Sequence, residues 1–500
     1  MPRPDSLLRR ARPLIAARLL SGVVTLSIPL VLARMLPLAE YGTYKQLFLV
    51  SLTASAILPF GVTQSLYFFV PRTPAPRVYF GQTLAFLAAA GALGGAAVYA
   101  AGPLLASALS NPALAAHAGE LAAYTALVVA ASPLETSITS AGRTRAAAVC
   151  YLGSDALRAL ALVVPAALGL GLHAMMSAMI AWAALRTAAA FLFMIAAQRG
   201  TLWDRRLLRE QLAYAVPFGV AIAFAIPQQY AHQFIVAHAV GPALFALYAV
   251  ACFELPFVEL FYTPTSEVLM VRLGELDRQG RQAEGAAAFR EAVERLAVLI
   301  LPPIAFFFAV APTFITTMFG ARFAAAAPLF RVAVLVTPLG IWPLDATLRA
   351  RGETRHILAS YVVKAVVTIP LVWAASHRFG LMGAAASYVG AEVLGRVFLA
   401  WRVPRALSSP GARVRAQDLV PGRALARALA ISAVLGFAGA GALHVAARLE
   451  LAAAGSALHR VLPLGIAAAV FGVAHVGQLA LFGGALPGFP GARARRRLAA

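Results

Sequence analysis

The chain has 500 residues, 61% of them hydrophobic and 12% charged, with a mean hydropathy of +0.79; this excludes every soluble class and reads as a multi-pass membrane protein. The net charge of +22 sits in short segments between apolar runs, so it reads as a positive-inside topology signal and excludes a nucleic-acid partner. Cys150 and Cys252 are the 2 cysteines and both fall inside apolar runs, which excludes a disulfide framework.

The first apolar run, 13–36, follows Arg9, Arg10 and Arg12. It is too long for the apolar part of a signal peptide and shows no small-residue cleavage site, so it is expected to stay as the first helix. Further runs lie near 44–70, 79–104, 119–141, 145–170, 172–197, 210–240, 243–271, 292–318, 327–348, 354–375, 381–401, 425–447 and 461–482, which makes 14 predicted spans. Arginine-bearing segments such as Arg143 and Arg145, Arg205 to Arg209, or Arg349 to Arg355 alternate with nearly uncharged ones. Both termini are therefore expected in the cytoplasm.

The sequence repeats itself. Ala141-Gly142-Arg143-Thr144-Arg145 aligns with Arg351-Gly352-Glu353-Thr354-Arg355 at a shift of 210, which also carries Tyr151 onto Tyr361 and Arg186 onto Arg396. A shift of 204 brings Pro37–Tyr44 over Gly241–Tyr248. Six helices thus recur in the same orientation, the hallmark of a parallel internal repeat. The predicted fold is an all-α polytopic membrane protein: a six-helix bundle over 1–200, a second over 201–403, and a linker, two extra helices and a basic tail over 404–500. The charged stretch 272–295 is expected to form a helical connection along the membrane surface.

No nucleotide-binding loop, HExxH, Asp-x-Asp or Cys/His metal spacing occurs, so no catalytic residue, metal site or cofactor is expected and the protein reads as a non-enzyme. Gly169-Leu170-Gly171 joins two membrane helices and reads as a turn. What remains are polar residues inside spans, where a charge at mid-depth costs about 2.5–3.5 kcal/mol and is usually paired or turned to the interior. These are Asp155 and Arg158, three apart on one helix face and able to pair locally, with Arg186, Lys364 and Glu392. Lys364 and Glu392 are each 14 residues from a turn near Arg378, so a hairpin puts them at equal depth. Arg18 lies near the cytoplasmic end of the first helix and reads either as a snorkelling residue or as a cavity cation. Helix seven carries Gln228, Gln229 and His232 after Pro227, and helix eight carries Glu254, Pro256 and Glu259. Glu254 and Glu259 are candidates for coupling to H+ or Na+, and a structural hydrogen-bond cluster is the competing reading.

The segment Leu32-Ala33-Arg34-Met35-Leu36-Pro37-Leu38-Ala39-Glu40-Tyr41-Gly42-Thr43-Tyr44 resembles the end of the first helix in polysaccharide and O-antigen flippases of the multidrug/oligosaccharidyl-lipid/polysaccharide (MOP) exporter superfamily, with Pro37-Leu38 where that pattern has Gly-Pro. The resemblance covers about the first 400 residues and weakens after Arg402. It implies two bundles around a cavity, lined mainly by helices one, two, seven and eight, that opens alternately to either side of a bacterial inner membrane. The implied cargo is an undecaprenyl-pyrophosphate-linked oligosaccharide for surface polysaccharide assembly. Arg18, Gln228, Gln229 and His232 are the cargo-contact candidates. Implied partners are membrane lipids, a glycan polymerase and other assembly proteins. The two extra helices also resemble those of the lipid II flippase family, where they form a lipid groove. The alternatives are a lipid II-type flippase, a cation-coupled multidrug exporter of the same fold, and a membrane glycan polymerase or ligase. The last is disfavoured because such enzymes carry a large outer loop and none is seen here.

Overall fold

Apolar runs of this length satisfy their backbone groups internally only as helices, because hydrocarbon offers no hydrogen-bond partner. In the computed structural model, which describes residues 4–73, 75–197, 200–255, 257–408, 413–449 and 457–482, the described residues contain helices and no strand. The chain divides into two compact units, Met1–Ala246 and Leu247–Ala500.

The first unit contains α1 (Pro4–Met35), α2 (Leu38–Ile57), α3 (Val62–Phe69), α4 (Pro76–Ala100), α5 (Ala118–Ala131), α6 (Leu134–Ser140), α7 (Thr144–Ala167), α8 (Gly171–Ala197) and α9 (Arg205–Ala239). Helix α9 packs on α2, α3 and α4, so it belongs to this unit although the loop before it lies near residue 200. The turn between α7 and α8 places Gly169 and Gly171 at φ 66° and 75°, a region that costs glycine little, in keeping with a turn there. Asp204 caps α9 by accepting from the backbone N–H groups of Arg206 and Leu207 at 2.8 and 3.2 Å. A Cβ on Gly42 would collide with the carbonyl of Pro242, so the glycine of the Glu40-Tyr41-Gly42 signature is where the backbones of α2 and the segment after α9 touch.

Helix α10 (Pro242–Ala251) carries the boundary between units. The second unit continues with α11 (Phe257–Arg278), α12 (Gly285–Phe319), α13 (Ala326–Ala333), α14 (Leu344–Ala350), α15 (Thr354–Leu407), α16 (Gly422–Arg448) and α17 (Ala457–Phe482). Helix α15 breaks at Gly380, whose φ and ψ are 60° and −149°. A straight helix would separate residues 28 apart by about 42 Å, yet Lys364 and Glu392 touch, so α15 is a hairpin. Gly436 and Gly439 let α16 approach α12, where Cβ atoms would stand 3.1 Å from the Ala305 backbone and 2.6 Å from the Phe306 ring. Phe471 of α17 stacks on Phe306 at 4.7 Å between centroids.

Among the described residues, 11 helices are long and apolar enough to cross a membrane, or 12 if α2 with Val62–Arg72, bent by 41°, counts as one. The expected count of 14 is not reached on that test, because one helix carries two of the expected spans and another expected span is broken. Helix α15 enters the count once although it has two arms. The run 243–271 is not one helix: α10 ends at Ala251, the backbone leaves helical geometry over 252–255, and α11 carries six charged residues, Glu259, Glu267, Arg272, Glu275, Asp277 and Arg278. Segment 272–295 is likewise no separate connection. It is the end of α11, a turn with Gly280 at φ 72°, and the beginning of α12. Large apolar side chains such as Leu93, Phe437 and Val473 are more than 70% exposed, as expected where the solvent is lipid.

Candidate functional site

Helices α1 and α7 are joined by a ladder of polar contacts. Arg18 Nη2 donates to the Tyr151 hydroxyl at 3.2 Å, with the guanidinium 5.1 Å from the centroid of that ring. Ser21 Oγ donates to Asp155, and Arg158 Nη2 donates to Thr25 Oγ1 at 2.7 Å. The sequence separations are 133, 134 and 133, so the two helices run parallel and each rung joins side chains of equal depth. Asp155 and Arg158 also pair with each other at 3.3 Å. Arg18 is thus exposed but leans on an aromatic ring of α7, which fixes the direction of its charge.

Arg186 of α8 is paired with Glu135 of α6, a residue that sequence reasoning missed. Its Nη2 donates to both carboxylate oxygens at 2.6 Å, and the side chains are only 17% and 9% exposed. The guanidinium also lies 4.9 Å from the Trp182 ring centroid. On α9, Gln228 and His232 share a face and are buried, whereas Gln229 is exposed. A second buried polar group on α9, Gln211, also escaped the sequence reading. It accepts from Gln82 at 2.8 Å and donates to Ser65 and Thr83 at 2.7 and 2.8 Å, tying α9 to α3 and α4.

In the second unit, Lys364 Nζ lies 2.6 Å from Glu392 Oε1, the pairing that equal spacing from the hairpin turn predicts. Gly395 makes room for the Lys364 stem, since a Cβ there would overlap its methylenes. The pair lines a polar cavity of about 140 Å³ together with Tyr262, Asp345, Tyr361 and Arg396. Asp345 accepts from Tyr262 and from Arg349, and Arg396 Nη1 donates to the Trp342 carbonyl at 3.2 Å. Glu254 and Glu259 line another cavity, of about 400 Å³, which Tyr388 and Arg396 also border. Both glutamates are exposed and Thr263 donates to Glu259; Pro256 lies outside the described residues. Arg396 therefore sits between two polar cavities. The repeat match with Arg186 is the one signal that could have singled it out.

The fold resembles those of several solved membrane flippases and transporters. It is similar to a lipid II flippase MurJ in an inward closed conformation, with a TM-score of 0.70 and 12% identity over 94% of this chain and 98% of that one. An inward-facing multidrug resistance MATE family transporter of the MOP superfamily gives 0.58 and 15% over 77% and 94%. A MOP superfamily transporter from Pyrococcus furiosus gives 0.51 and 13% over 80% and 96%. The protein is accordingly a multi-pass membrane protein with the MOP flippase and transporter fold. Residues 31–328, more than half of the chain, match the polysaccharide biosynthesis protein family, and the chain belongs to that family. Comparison with curated proteins gives no match.

Proposed function

We propose that the protein flips an undecaprenyl-pyrophosphate-linked oligosaccharide across the bacterial inner membrane by alternating access, both termini facing the cytoplasm, for surface polysaccharide assembly. A glycan cannot cross hydrocarbon without a polar path, whereas its polyprenyl tail can stay in lipid. Transport of this kind needs no catalytic group. The observation that carries the proposal is a polysaccharide-biosynthesis chain with a flippase fold whose first span presents an exposed guanidinium, oriented by Tyr151. A guanidinium stays charged and bonds two phosphate oxygens at once, which suits a pyrophosphate. A lipid II-like cargo is the second reading, favoured by a likeness to the MurJ structure that extends over 94% of the chain.

The test is surface-glycan complementation in a deletion strain, normalised to membrane protein level. Arg18→Ala is expected to reach normal levels yet lower export about tenfold or more, since a hydrogen bond to a charged group is worth about 1.5–3 kcal/mol; Arg18→Lys should be intermediate. Full export by Arg18→Lys together with poor insertion of Arg18→Ala would instead mark a snorkelling residue. Rescue of a strain depleted of its lipid II flippase would move the assignment to the second reading.

A further inference from the structure

We propose that His117, Glu120 and His173 form a binding site for a divalent transition-metal ion of the zinc class, at the end of the first unit where α5 and α8 begin. His117 immediately precedes α5, Glu120 lies in its first turn, and His173 lies in the first turn of α8. Their ligand atoms all fall within 4.8 Å of one another. Both histidines turn Nδ1 toward the one carboxylate, His117 at 2.6 Å from Oε2 and His173 at 2.9 Å from Oε1, and the rings lie 4.1 Å apart between centroids. The sequence shows no metal-ligand spacing because the third ligand comes from 53 residues beyond the glutamate.

Two imidazoles and a carboxylate with one open side are a ligand set that zinc and its neighbours favour, since such ions take nitrogen and oxygen donors together. Metal bonds of about 2.0–2.2 Å place adjacent ligand atoms of a tetrahedral site about 3.3–3.6 Å apart. The present spacings of 2.6 and 2.9 Å therefore need to open by about 0.4–1.0 Å. The side chains grade outward, 7% exposed at His117, 21% at Glu120 and 66% at His173, so the site has an anchored floor and an entrance. Rotation of the exposed His173 ring together with the half-buried Glu120 carboxylate can supply the opening without moving a helix. Glu40 adds a second carboxylate nearby, its Oε1 standing 3.9 Å from where a Cβ on Gly171 would be. Binding through Nδ1 places each imidazole proton on Nε2 and fixes the start of α5 to the start of α8.

The test uses the full-length protein, purified without a histidine tag, freed of metal by a chelator and titrated with Co2+ and Zn2+. One equivalent with the visible absorption of four- or five-coordinate Co2+ is expected, and Zn2+ should raise the unfolding midpoint. His173→Ala and Glu120→Gln should each weaken binding by about tenfold or more and abolish the shift. His377→Ala, at an exposed histidine of α15, should change neither. His173 is exposed enough for its alanine variant to fold, which an unchanged metal-free midpoint would verify. Absence of a bound equivalent, or equal binding by wild type and His173→Ala, would overturn the site and leave a hydrogen-bonded trio.

Discussion

Positions 135 and 186 of the first unit recur as 345 and 396 in the second, at the shift of 210 that relates the repeats. In the first unit the two side chains close on each other, Arg186 donating twice to Glu135 at 2.6 Å. In the second the acid is an aspartate, shorter by one carbon–carbon bond of about 1.5 Å. Asp345 is taken by Tyr262 and Arg349, and Arg396 turns to the Trp342 carbonyl and borders two polar cavities. A second pair of positions behaves likewise. Trp182 Nε1 donates to the Ser154 carbonyl at 2.8 Å, and 210 residues on the same two positions hold the Lys364–Glu392 ion pair. At the second pair the repeat keeps the same two positions in contact with different chemistry, and at the first the closed ion pair of one unit gives way to separate partners in the other. The first unit uses closed contacts, and the second keeps ionisable groups beside water-sized space.

The largest effect expected from this contrast is at Arg186. Arg186→Met strands a carboxylate whose side chain is 9% exposed, and breaking a buried pair from one side costs about 3–5 kcal/mol. Arg396→Met should cost about 1–2 kcal/mol, because Asp345 keeps Tyr262 and Arg349, and what is lost is a donor to the Trp342 carbonyl and to Tyr262 and one of two cations beside Asp345. Thermal unfolding of the detergent-solubilised variants measures both. Equal losses would break the contrast, since Arg396 would then be as closed a partner as Arg186.

Much of this was legible in one dimension. The helices and the recurring positions follow from apolar runs and repeated residues, and the Lys364–Glu392 pair follows from counting along a hairpin. Glu135 was not legible, because it lies in the polar stretch Glu135-Thr136-Ser137 near the end of the run 119–141 and its partner is 51 residues away. Asp345 and Tyr262 are 83 residues apart, and no spacing rule joins them. The break over 252–255 was hidden by the apolar residues on either side, which look alike in a broken and an unbroken span. Among the candidate site residues, the structure brings Asp155 and Arg158 into one ladder and joins Lys364 to Glu392. Gln228 and His232 lie in the first unit, and Glu254 and Glu259 in the second.

A middle-sized effect is expected at Lys364. Lys364→Met leaves Glu392 charged inside a span, at a cost of up to about 2.5–3.5 kcal/mol, softened here by the polar cavity beside it. Glu392→Gln added to it should restore part of the membrane protein level, because a neutral amide no longer needs the ammonium. Additive losses in the double variant would show that the two groups act separately, and the second unit's pair would then be a proximity without energetic coupling.

The smallest effect is expected at Trp182, the repeat counterpart of Glu392. Trp182→Phe removes the indole N–H that reaches the Ser154 carbonyl, a neutral hydrogen bond worth about 0.5–1.5 kcal/mol. The phenyl ring keeps an aromatic face beside the Arg186 guanidinium, so most of that contact survives and the Glu135–Arg186 pair is not opened. The unfolding midpoint should fall slightly, with membrane level and glycan export unchanged. A loss comparable to Lys364→Met would mean that the closed unit depends on this helix contact as heavily as the open one does on its ion pair. The difference between the units would then lie in the chemistry of the contact and no longer in its strength.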